Sequence, residues 1–88
     1  MSKITPVNIN FADQAKQLGR KFKSIPLKDG GSAKLSWNDN ACDCVIVKNN
    51  EITGGRGASG APEHVKNELG IILKKLQKLI SPETKINL

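Results

Sequence analysis

The sequence predicts an α+β fold: a helix, a three-stranded antiparallel meander and a second helix, with both helices packed on one face of the sheet. Two observations set this order. Apolar residues recur at helical spacing near both ends, at 11, 15, 18 and 22 and again at 65, 69, 72, 76 and 79. Between them, residues 32–53 alternate apolar and polar, interrupted by Asn, Asp and Gly clusters that mark turns. The 88 residues make a single small domain, 1–88. A domain of this size buries about 60% of its unfolded surface, enough for one core.

Residues 1–9 carry Pro6 and the alternating Ile4, Val7 and Ile9, and read as an extended arm or short edge strand. Asn10 is placed as an N-cap, and Asp13 complements the helix dipole. The stripe Phe11, Ala15, Leu18, Phe22 predicts a helix from Phe11 to about Lys23, with Lys16, Arg20 and Lys23 on its opposite side. Gly19 weakens it, and Ile25-Pro26 ends it, because a residue before proline disfavours the α region.

Asp29-Gly30-Gly31 is a turn signal. Ser32–Trp37 follows as a strand with Ala33, Leu35 and Trp37 on one face. After the loop 38–41, a second strand Cys42–Lys48 sets Cys42, Cys44 and Ile46 against Asp43, Val45 and Val47. Asn49-Asn50 suits the two positive φ values of a type I′ turn, so Glu51–Thr53 returns as the third strand. Gly54–Gly60 reads as a glycine-rich connecting loop. Pro62 and Glu63 open the last helix, with Lys66, Lys74, Lys75 and Lys78 on its polar side. Ser81-Pro82 stops that helix, and 82–88 forms a loose C-terminal tail.

Aromatic content is only 3% against 38% hydrophobic, so the core is aliphatic. Fourteen Lys and Arg against eight Asp and Glu give a net charge of +6, which favours anionic partners while also serving solubility. No apolar run approaches the roughly 18 residues of a membrane span, so no membrane is expected as a partner. The N-terminal stretch lacks a basic region followed by an apolar one, and the cysteine pair is read as reduced thiols. A cytoplasmic location is the expectation.

The glycine segment contains Gly55-Arg56-Gly57-Ala58-Ser59-Gly60, a literal G-x-G-x-x-G between a strand and a helix. A dinucleotide site needs parallel strands with crossover helices, and the preceding strands form a meander. The segment is better read as a mobile loop, or as a loop whose backbone amides, Arg56 and Ser59 meet one backbone phosphate. Cys42 and Cys44 sit at alternate strand positions and are read as core residues. A metal or a catalytic thiol there has only His64 as a further partner, so neither metal nor cofactor is expected.

The leading expectation is a small basic module without enzymatic chemistry that contacts an anionic partner, above all RNA or DNA backbone. Lys16, Arg20, Lys23, Arg56, Ser59, Lys74 and Lys78 would make the contacts. The three aromatics occupy apolar-stripe positions, so base stacking plays no large part. One alternative is a small ribonuclease or toxin-like enzyme at the glycine loop. There His64, Arg56, Lys66 and a carboxylate would move a proton and steady a phosphorane. Another is an interaction module, such as an inhibitor or adaptor of phage or mobile-element type, docking on an acidic protein. A homodimer through leftover apolar surface at Ile71, Leu73 and Ile80 completes the candidate partners.

Overall fold

A computed structural model describes residues 10–87. The expected arm 1–9 and the last tail residue lie outside the described residues. The elements are α1 (Phe11–Gln17), β1 (Lys21–Pro26), β2 (Ser32–Trp37), β3 (Ala41–Lys48), β4 (Glu51–Ser59) and α2 (Pro62–Gln77). The strands form one antiparallel sheet in the order β1-β2-β3-β4. The α+β class therefore holds, with a four-stranded meander in place of the expected three strands.

The extra strand comes from an early stop in the first helix. Asn10 caps α1 as expected, its side chain accepting the Asp13 N–H at 3.1 Å. The helix then ends on Gly19, which takes φ +70°. The Gly19 N–H donates to the Lys16 carbonyl at 3.1 Å and the Arg20 N–H to the Ala15 carbonyl at 2.8 Å. These two bonds satisfy carbonyls that a helix end leaves orphaned. Phe22, expected on the helical stripe, lies instead on β1 and faces α1, while Ile25, three residues on, faces the core under α2. Pro26 pairs with Ser32 at the end of this edge strand, a position where its missing N–H is tolerated.

Leu35, Cys42, Cys44, Ala33 and Ile25 line one face of the sheet, and Val65, Ile72 and Leu76 of α2 cover it. Phe11, Ala15 and Leu18 of the α1 segment instead gather with Phe22, Ser36, Asp43 and Val45. Those strand positions alternate with Leu35 and Cys44 and so point the other way. The expectation that both helices share one face is corrected: they lie on opposite faces. Two residues separate Leu18 from β1, and this tight turn holds α1 beside β1 and β2.

The Asn49-Asn50 turn forms as expected, with φ of 54° and 63°. The glycine-rich loop does not. Gly54–Ser59 continues β4 alongside β3, from Ile46↔Gly54 to Ala41↔Ser59. Thr53 is the extra residue of a bulge between the pairs Val47↔Ile52 and Ile46↔Gly54. Gly55 and Gly57 fit because β3 comes close. A Cβ there would stand 3.0 Å from the Cys44 carbonyl oxygen and 2.6 Å from that of Cys42, respectively. Of the tail, Ile86 packs on the core and the Asn87 carbonyl accepts from Lys23 Nζ, which ties down a segment read as loose.

Candidate functional site

β4 is the last strand of the sheet, so its outer edge faces no other described strand. Between this strand and α2 runs a groove of about 220 Å³, lined by Cys44, Ile46, Gly55, Arg56, Ile72, Lys75, Leu76 and Leu79. It is smaller than the roughly 300–1,000 Å³ of typical small-molecule pockets and has the scale of a few aliphatic side chains. The floor comes from β3 and the buried side of α2. Leu79, just past the end of α2, remains 41% exposed and Ile71 on α2 remains 43% exposed, so apolar surface continues out of the groove. Lys75 stands between them along the chain, and Lys78 is exposed at the C-cap of α2.

The opposite end of the groove is closed by an ion pair. Arg56 of β4 donates from Nη2 to Glu68 Oε1 at 3.1 Å and from Nε to Oε2, a two-pronged contact. The Arg56 hydrogen bonds hold the Glu68 carboxyl below its ordinary range, helped by the charges of Arg56, His64 and Lys75. The same bonds raise the Arg56 guanidinium. His64 lies one helical turn before Glu68, so Arg56, Glu68 and His64 form one surface cluster. Glu68 spends both carboxylate oxygens on Arg56, which leaves it poorly placed to accept a substrate proton. Glu68 is a member of this cluster that the sequence reading did not name, and its i, i+4 spacing from His64 is the signal that could have found it.

The remaining expected contact residues scatter. Lys16 is exposed on α1. Arg20 lies in the following turn, half-buried, with its Nε unpartnered among the described residues. Lys23 is on β1 and reaches the tail. The expected helical stripe Lys16-Arg20-Lys23 is therefore spread over a helix, a turn and a strand. Lys74 on α2 and Lys78 at its C-cap are exposed, and α2 covers the opposite face of the sheet from α1, so the two basic groups do not merge into one track. Ser59 is exposed at the end of β4, paired with Ala41. Of the apolar dimer candidates, Ile71 is exposed while Leu73 and Ile80 pack against the core.

Both cysteines are buried and unbridged, as core residues. Cys42 Sγ approaches the Val65 carbonyl at 3.7 Å. Burial pushes the Cys44 thiol up to about 11, which keeps it protonated and a weak nucleophile at neutral pH. Comparison with protein-family models, curated proteins and solved structures finds no match to this chain.

Proposed function

We propose that the chain is a small non-enzymatic binding module for an anionic partner, and that the partner is an acidic protein segment seated between β4 and α2. One observation carries this reading: an apolar groove opens beside a strand edge that pairs with no other described strand, with Lys75 on its helix flank and Lys78 exposed just past the helix end. Apolar anchors surrounded by polar rim groups are the usual composition of a protein interface. Covering the exposed parts of Ile71 and Leu79 would contribute roughly 1 kcal/mol each, about half of a full aliphatic burial. The lysines would add orientation and a faster encounter with an acidic partner.

The nucleic-acid reading retains a separate observation. Ion pairs join Lys48 to Asp29 and Arg56 to Glu68, and the other lysines and arginines among the described residues make none with a described acidic residue. A phosphate backbone would find many unengaged lysines, though on two faces. The enzymatic reading rests on the Arg56–Glu68–His64 cluster.

The three separate in one experiment. Labelled RNA, labelled DNA and acidic peptides containing Leu, Ile and Val are titrated with the protein across a salt series and followed by anisotropy. The nucleic acids are then run on a denaturing gel. Peptide binding that loses affinity in Leu79→Ser supports the proposal. Nucleic-acid binding with a slope near −0.9 per neutralised phosphate, and no peptide binding, replaces it with the backbone reading. RNA shortened by the wild-type chain and spared by His64→Ala replaces it with the enzyme.

A further inference from the structure

Resting on the protein-binding reading, we infer that the partner segment binds as an extended β-strand added to the outer edge of β4. Its side chains on the α2 side would be aliphatic toward Ile71 and Leu79 and acidic toward Lys75, with the intervening side chains turned away from the helix. Unpaired strand edges invite pairing, and proteins usually guard them with proline, lysine, bulges or short length. The far edge of this sheet is guarded in that way: β1 carries Lys21 and Lys23 and ends at Pro26. β4 has nine residues, no proline and no lysine. From Gly54 to Ser59 its one charge is Arg56, and that side chain is folded back onto Glu68. The bulge at Thr53 limits the flat, pairable stretch to Gly54–Ser59.

The glycines sharpen the inference. Gly55 and Gly57 are explained by the closeness of β3 carbonyls. Gly54 is not. A Cβ there would meet nothing within 4 Å, and its φ is not positive. Glycine in a strand interior sacrifices stability and normally marks a bulge or a close approach to another backbone. Gly54 pairs with Ile46, a lining residue of the groove, so any side chain there would stand on the α2 side beside the groove. Its bare backbone keeps that space open for the side chains of an incoming strand. In strand addition the main-chain ladder supplies affinity and the pockets for alternate side chains supply specificity. Charge selects the occupant: two copies of a +6 chain repel, whereas an acidic strand is attracted.

The test uses the full chain and a labelled synthetic peptide in which every second residue, all on one face, reads Leu, Glu, Val, with Thr and Ser between them. Its comparators are a peptide of the same composition with acids and aliphatics at helical spacing, and two versions N-methylated on alternate amides. In an antiparallel ladder every second residue of the added strand bonds to its neighbour, so only one methylated register blocks pairing. The expected result is binding of the alternating peptide, a loss of about tenfold or more in one methylated register, and little change in the other. Gly54→Val should lose peptide binding to a similar extent with its thermal unfolding retained. Equal binding of both methylated registers, or of the helically spaced peptide, overturns strand addition while leaving an acidic partner in place. Failure of every acidic peptide overturns the protein-binding reading itself. Sedimentation as a dimer that Gly54→Val dissociates overturns the acidic occupant in favour of a second copy.

Discussion

Three glycines in β4 differ in what a methyl group would meet, and that difference predicts an ordered series of stabilities. In Gly57→Ala the new Cβ would lie 2.6 Å from the Cys42 carbonyl oxygen, 3.0 Å from Asp43 Oδ1 and 3.2 Å from Asp43 Cα. Two of these atoms are backbone of a paired strand, so the ladder itself must move, at a cost of about 1–3 kcal/mol. Gly55→Ala meets a single close atom, the Cys44 carbonyl oxygen at 3.0 Å, and should cost about 1 kcal/mol. Gly54→Ala meets nothing within 4 Å. It should be neutral, or stabilising by about 0.4–1 kcal/mol, because alanine narrows the unfolded ensemble. For a domain of this size each kcal/mol corresponds to about 4–8 °C in Tm. Thermal and urea unfolding of the three variants should therefore rank Gly54→Ala above wild type or level with it, then Gly55→Ala, then Gly57→Ala. A Gly54→Ala loss equal to that of Gly57→Ala would refute the reasoning, because proximity to β3 would then not explain where glycine is needed.

Gly19→Ala should cost about 1 kcal/mol in urea unfolding, since alanine at φ +70° is strained where glycine is not. Asn50→Gly should raise Tm slightly, because glycine accepts φ 63° at the second central position of the type I′ turn more readily than asparagine. Alkaline pH should destabilise the fold. The Cys44 thiol holds its proton to about 11 when folded, against 9.0 as its ordinary value. Its stabilising contribution is complete below pH 9.0 and is lost as pH rises toward 11, because the unfolded chain ionises first. Urea unfolding through that window should show a slope that flattens in Cys44→Ala, with a total effect of at most about 3 kcal/mol.

Local chemistry determined much of this fold. The alternation of Ser32–Trp37 and Cys42–Lys48, the Asn49-Asn50 turn and the Pro62 start of α2 were all readable in the sequence. Each follows from a φ preference or a side-chain period that acts over a few residues. The +6 charge and the aliphatic core are properties of composition and needed no folding to be seen. Other features depended on partners distant in the chain. Phe22 and Ile25 stand three apart, a helical spacing, and it is β2 pairing together with the Gly19 turn that makes residues 21–26 a strand with the two on opposite faces. Gly54–Ser59 has poor intrinsic strand preference and becomes a strand because β3 is there to pair with. The face that α1 occupies, the engagement of Arg56 by Glu68 and the groove beside β4 are likewise set only when β3, β4 and α2 assemble. A period or turn preference specifies an element from within, whereas a surface is made by what two elements leave uncovered between them.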